Sequence, residues 1–253
     1  MSELDVRSHN RAAWDQLVEQ QNRWTVPVSH EALERARRGE FEIVLTPTKP
    51  VPRAWFENLD GVEILCLASG GGQQGPLLAA AGARVTVLDN SPNQLKQDQF
   101  VAQREGLVIR TVEGDMADLS IFADESFQLI VHPCSNCFAP DVRPVWRECF
   151  RVLRKGGALL AGFNNPLRFL LEDTDKLAGM RVSNTIPYSD LARPKERAGP
   201  LEFGHSLADQ IGGQLEAGFL LSAFYEDRYA ETDDDPISRY IDTFIATRAI
   251  RPD

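Results

Sequence analysis

The sequence predicts an α/β protein: a three-layer αβα sandwich on a mostly parallel seven-stranded sheet with an antiparallel last strand, preceded by an N-terminal helical segment. Three observations carry this. From Val62 onward short apolar runs alternate with helical stretches, the pattern of right-handed βαβ crossovers on a sheet covered on both faces. The first run passes straight into a glycine-rich turn, ILCLASGGGQQG (64–75), with glycine at 70, 71, 72 and 75. The last two apolar runs are joined only by the polar ETDDDPIS, too short for a crossover helix, so they pair antiparallel.

Residues 8–21 (SHNRAAWDQLVEQQ) place Ser8 as a cap and Ala13, Leu17 and Val18 on one stripe, which predicts a helix. A second helix, SHEALERARRG, closes on Gly39. LTPTKPVPRAW, with Pro47, Pro50 and Pro52, reads as an extended linker, making residues 1–60 a helical lid or extension and 61–253 the main domain. Strands are then expected at VEILCLA, ARVTVLD, LVIRTVEGD, SFQLIVHP and ALLAGFNN. The helices between them are QGPLLAAAG, SPNQLKQDQFVAQREG and DVRPVWRECFRVLRKGG, the last stopped by Gly156–Gly157. Residues 164–205 break the alternation and form an insertion beyond a strand's C-terminal end, where open α/β sheets bind ligands. SLADQIGGQLEAG supplies one more helix before the closing strands FLLSAFYEDR and RYIDTFIATRAI.

The chain has 253 residues and a net charge of −10, which argues against nucleic acid or an anionic membrane as main partner and favours a small molecule. No apolar run is long enough to span a bilayer, and MSELDVRSHNRAAWDQ lacks the apolar core of a secretory signal, so a cytoplasmic protein with reduced thiols is expected. The oligomeric state stays open, a homodimer included. Cys134-x-x-Cys137 has no second ligand pair, so no metal is expected, and the acidic run at 233–235 reads as a solvated loop.

Gly70-x-Gly72-x-x-Gly75 lets backbone approach a ligand closely, and Asp89, ending the second strand, can accept both hydroxyls of a ribose. That combination suits a nicotinamide dinucleotide or S-adenosylmethionine; a tight turn with Asp89 capping the next helix accounts for it without any ligand. His132 and Asn136 in HPCSNCF follow the fourth strand and are the candidates for a base or orienting group, with His205 second. A packed strand-end imidazole is the plainer reading of His132. Trp14 and Trp24 either face a ligand or dock the first helices.

Together, ILCLASGGG, Asp89, the VEGDMADL stretch and RVLRKGG resemble the class I S-adenosylmethionine-dependent methyltransferases, over roughly residues 60–165 and, in topology, the closing hairpin. The resemblance implies S-adenosylmethionine as methyl donor, with Asp89 on its ribose and Asp115 and Met116 on its adenine. It further implies contacts from Ala68, Ser69, Gly70, Gly72, Asn90 and His132. Two positions depart from the family pattern hhDhGxGxG: Cys66 stands for the acid and Ala68 for the first glycine. The departures suggest an altered loop path with compensating contacts from Ser69, Gln73 or Gln74. The function so implied is methyl transfer to an unidentified small acceptor; the alternatives are an NAD(P)-dependent oxidoreductase, which would lack the reversed last strand, and a non-catalytic donor-binding module, which would lack an acceptor cavity.

Overall fold

The computed structural model describes residues 5–170, 186–192, 199–231, 233 and 235–253. Helix α1 (Val6–Glu19) is capped by Asp5, whose carboxylate accepts the Ser8 N–H, and so begins before the Ser8 that the sequence suggested. Helix α2 (His30–Arg37) is capped by Ser29, and Gly39 leaves it at φ +82°. Then β1 (Glu63–Leu67), α3 (Gln74–Ala80), β2 (Arg84–Asp89), α4 (Pro92–Glu105), β3 (Ile109–Glu113), β4 (Phe127–His132), α5 (Arg143–Val152) and β5 (Leu153–Asn164) follow in the expected alternation. A two-stranded pair, β6 (Tyr188–Ser189) with β7 (Phe203–Gly204), lies in the insertion, whose residues 171–185 and 193–198 fall outside the described chain. Helix α6 (Gly213–Ala217) extends a wide helical turn over Ala208–Gly212 and leads to β8 (Leu220–Asp227) and β9 (Phe244–Ile250).

The seven-stranded sheet has the order β3-β2-β1-β4-β5-β9-β8. Strands β1 to β5 are parallel, and β9 is antiparallel to both of its neighbours. Period-two alternation in β1 sends Ile64 and Cys66 to one face and Leu65 and Leu67 to the other, and all four are fully buried. The first face packs α2, α3 and α4 through Leu33, Leu78 and Val101. The second packs α5 through Val145, Trp146 and Cys149. Among the described residues no helix is long and apolar enough to cross a membrane.

Two expectations are corrected. The proline-bearing stretch is no linker: Leu45, Val51 and Trp55 belong to the same buried cluster as Cys66, Val131 and Leu160. Its backbone is tied down as well. Cys134 N–H donates to the Leu45 carbonyl, and Asp227 accepts the Thr48 hydroxyl and the Thr48 and Lys49 amides. Its prolines set an extended path, and burial of its alternate apolar residues fixes that path on the sheet. Second, Gly156 and Gly157 do not end α5. The strand starts at Leu153, buried beside Phe127, and the glycines form a bulge before pairing resumes at Leu129 and Ala158. Gly156 has φ +73° there, a conformation open to glycine. The closing strand is also shorter than RYIDTFIATRAI suggested: residues 236–239 form one helical turn, and pairing begins at Phe244.

The docking of residues 43–51 is closest at Gly162 in β5, where a Cβ would lie 2.1 Å from the Leu45 carbonyl oxygen. Gly162→Ala is therefore expected to destabilise the fold by about 1–3 kcal/mol. A urea or thermal melt reads this directly, and an unchanged midpoint would contradict the close approach.

Candidate active site

A cavity of about 970 Å³ opens at the C-terminal ends of the central parallel strands. That is the upper end of the ordinary range for ligand pockets, about 300–1,000 Å³. One wall is the turn after β1 (Ala68, Ser69, Gly70) with Asp89 and Asn90 after β2 and Gly114 to Ala117 after β3. The opposite end holds Cys134, Asn164, Arg168, Tyr229 and Phe244. Asn10, Trp14 and Leu17 of α1, together with Trp24, cover it.

The turn is shaped by contacts to its backbone. Gly70 N–H donates to Asp89 Oδ2 (2.9 Å), while Asp89 Oδ1 accepts the Ser91 N–H (2.9 Å). A Cβ on Gly70 would stand 2.7 Å from Gln94 Cβ, so glycine is required for the turn to lie on α4. Ala68 occupies the left-handed region at φ +46°, its carbonyl held by the Ser135 hydroxyl (2.8 Å). The loop thus keeps a glycine-like path with alanine in it, at a backbone strain of about 1–2 kcal/mol.

Of the residues singled out from sequence, Ala68, Ser69, Gly70, Asp89, Asn90, Asp115 and Met116 line the cavity. Gly72 does not; at φ +72° it carries the turn into α3, and its carbonyl accepts the Val28 N–H. Asn90 spends its side chain on α1, donating to the Arg7 carbonyl (2.9 Å) and accepting from Arg7 Nε (3.2 Å). Gln73 and Gln74 also turn to protein backbone: Gln73 donates to the Arg23 and Val26 carbonyls, and Gln74 accepts the Val44 N–H. Asp115 accepts the Ala117 N–H (2.9 Å), bending the chain so that Met116 faces the cavity.

The geometry does not support His132 and Asn136 as acid–base groups. Both are fully buried and neither lines the cavity. His132 Nδ1 donates to the Leu67 carbonyl (2.8 Å), and Nε2 lies 2.8 Å from the Asn136 side-chain amide. Burial lowers the His132 pKa, against the contacts to Leu67 and Asn136 that raise it. Asn136 is shared with Gln210 (3.0 Å). His205 donates to the Asn136 and Ala139 carbonyls and is buried too. These groups brace the turn after β4 from behind. The tryptophans divide: Trp14 lines the cavity and meets Phe138 edge-on at 5.3 Å, whereas Trp24, also on the wall, carries Arg23 over its ring at 4.4 Å.

Other wall residues escaped the sequence reading. Asn10 is buried, donating to the Phe138 and Leu201 carbonyls and accepting the Leu201 N–H (2.7 Å), so it clasps α1 to the insertion. A signal existed, since Asn10 shares the stripe of Ala13 and Leu17. Arg168 pairs with Asp235 and lies 5.1 Å and 5.8 Å from the ring centres of Tyr229 and Phe244. Nothing in the irregular sequence around Arg168 marked it. The acidic run is drawn inward by arginines, with Asp233 paired to Arg23 and Asp235 to Arg168.

Electrostatically the wall that carries Asp89 and Asp115 is acidic. Burial pushes the Asp89 carboxyl up to about 6, against hydrogen bonds from the Ser91 and Gly70 amides that hold it down. Burial also raises Tyr229 to about 12, leaving its phenol protonated. The residues fit a nucleoside with an amino-acid tail: Asp89 offers acceptor oxygens, and Ser69 Oγ and Gln94 Oε1 are buried on the wall without protein partners.

Comparisons with known proteins agree. A family model described as "Methyltransferase domain" matches residues 65–161. An uncharacterized methyltransferase of Bacillus subtilis (strain 168), YbaJ, is 50% identical over 96% of this chain and 98% of its own length. Among solved structures, an S-adenosylmethionine-dependent methyltransferase from Mesorhizobium loti is similar with a TM-score of 0.62 at 17% identity, covering 79% of this chain and 95% of that one. A putative one from Listeria monocytogenes gives 0.64 at 13% identity with the same coverage. At those identities the structures speak for the fold alone.

Because Ala68 stands at positive φ, Ala68→Gly is expected to stabilise the protein by about 0.5–1 kcal/mol, the reverse of the usual effect of glycine. Denaturant melts check it; a loss of stability would contradict the left-handed turn.

Proposed function

The chain belongs to the class I S-adenosylmethionine-dependent methyltransferase family, and from that premise we propose that it methylates a small-molecule acceptor held between α1, the insertion and the β8–β9 connection. The observation that supports this best is the reach of the cavity. It runs from the Gly70–Asp89 wall to Arg168, Tyr229 and Phe244, leaving room beyond a donor nucleoside. A module that only senses the donor needs no such second compartment.

In this reading Asp89 accepts the ribose hydroxyls, Asp115 and Met116 border the adenine, and the Ala68–Gly70 stretch of the turn faces the amino-acid end. The donor supplies a methyl carbon on a sulfonium, which leaves with the carbon–sulfur electron pair when an acceptor lone pair or carbanion attacks. The protein's task is alignment and exclusion of water. Trp14, Leu17 and Phe138 supply apolar cover, and α1 is clamped over the site by Arg7 on Asn90, Asp15 on Ser91, and Asn10 on Leu201. Among the described residues His132 and His205 are buried away from the cavity and Tyr229 is held as a phenol, so none of these three stands ready as a base. We place this activity in the cytoplasm, in keeping with the acidic chain and four free thiols.

Thermal shift with S-adenosylmethionine, S-adenosylhomocysteine, NAD and NADP tests the donor; stabilisation by the first two alone is expected. Incubation with methyl-labelled donor and a cell extract tests the acceptor class. Label in a small-molecule fraction is expected, and label only in nucleic acid or protein would contradict it.

Asp89→Ala removes the proposed ribose acceptors and is expected to weaken donor binding by at least about tenfold, roughly the 1.5–3 kcal/mol of a hydrogen bond to a charged group. Calorimetric titration with S-adenosylhomocysteine decides it, and a change within twofold contradicts the ribose role. The same group sets a pH dependence. Since the folded pKa is raised to about 6, Asp89 is neutral below and ionised above that value. Donor affinity should rise with pH through about 6 and level off above it. The ligand-free fold behaves oppositely, its Asp89 contribution being present at low pH and lost as pH climbs from the ordinary carboxyl value of 3.8 through about 6. A flat affinity profile between pH 5 and 7 would contradict the assignment.

A further inference from the structure

Beneath the glycine turn lies a carboxyl group with no role in the account so far. Asp98, midway along α4, is fully buried. Its Oδ2 accepts the Gly71 N–H (3.1 Å), an amide shared with the Gln94 carbonyl (3.1 Å), and the Gly72 amide also favours its charged form. Its Oδ1 is buried without a partner. Cys66 from β1 and Asp89 from β2 are the titratable neighbours, each felt electrostatically, and a Cβ on Gly75 would come within 3.3 Å of Oδ1. Burial pushes Asp98 up to about 8, so it is mostly neutral at pH 7 and acts as a hydrogen-bond acceptor.

For the fold alone this is a poor choice. An orphaned oxygen in an apolar hole beside Val87 costs stability that leucine, of similar size, would not. The one thing Asp98 does that leucine cannot is hold the amides of Gly71 and Gly72, two residues at φ +106° and +72° with no side chain to fix them. At the end of β1 the neighbouring Cys66 offers no carboxylate for that purpose.

We infer that Asp98 is a positioning residue for the methyl donor, its acceptor oxygen fixing Gly71 and, through it, the Ala68–Gly70 stretch that lines the cavity and receives the donor's amino-acid end. The inference rests on the donor reading above. It predicts effects of opposite sign: a residue that braced the fold would lose stability and binding together, whereas Asp98 trades one for the other.

The test compares Asp98→Leu and Asp98→Asn with the parent by thermal melting and by titration with S-adenosylhomocysteine at pH 7.5. Asp98→Leu should melt at the parent temperature or above it, yet bind at least tenfold more weakly. Asp98→Asn, which keeps an acceptor for Gly71, should bind within threefold of the parent. Binding of Asp98→Leu within twofold of the parent overturns the inference, as does an equal loss in the Leu and Asn variants. Should Asp98→Leu not fold, the shorter Asp98→Ala takes its place under the same limits. A parent that fails to bind S-adenosylhomocysteine sinks the donor reading and the inference with it, a result distinct from equal binding by parent and variant.

Discussion

A loop built of glycines has only its own amides and carbonyls by which to be held. The turn from Ala68 to Gly72 is gripped at four of them: Asp89 takes the Gly70 amide, Gln94 and Asp98 share the Gly71 amide, Ser135 donates to the Ala68 carbonyl, and Val28 donates to the Gly72 carbonyl. Those partners come from the end of β2, the body of α4, the turn after β4 and the segment before α2. The walls of the cavity are thus fastened to one another through a stretch of bare backbone. Side chains here would push the walls apart: a Cβ on Gly70 would stand 2.7 Å from Gln94 Cβ.

The site carries costs that a structure selected for stability alone would shed. A carboxyl group pushed up to about 6 at Asp89 and an alanine at positive φ both oppose folding. Orphaned acceptors on Ser69 and Gln94 add to them. Such costs concentrate where a ligand is to be received, because the ligand supplies the missing donors and charge. The back wall is the contrast. His132, Asn136, His205 and Gln210 are buried off the cavity and hydrogen-bond to one another and to the backbone around the β4 turn.

The sheet was legible because strand and helix periodicities differ sharply, and because a mostly polar stretch of eight residues between two apolar runs leaves no room for a crossover. That Ala68 to Gly70, Asp89 and Asp115 would share one cavity wall was legible because glycine, acid and turn residues follow the ends of successive strands in one order. What the sequence hid were long-range pairings. Pro47 to Pro52 look like a linker until the cluster of Leu45, Val51 and Trp55 with Leu160 is seen. His132 looked reactive because strand ends face a crevice, whereas the Leu67 carbonyl lies inward, within reach of its ring. Asp98 sits among polar helix residues, and only the fold turns it toward the loop. The far end of the cavity draws on residues as far apart as Asn10, Arg168 and Tyr229, which no local pattern connects.

A crystal structure grown with S-adenosylhomocysteine tests the central claim most directly. The account predicts the nucleoside along the turn, both ribose hydroxyls within hydrogen-bonding distance of Asp89 and the adenine between Asp115 and Met116, with space left toward Arg168. An empty crevice, or a nucleoside bound with its ribose away from Asp89, would contradict it.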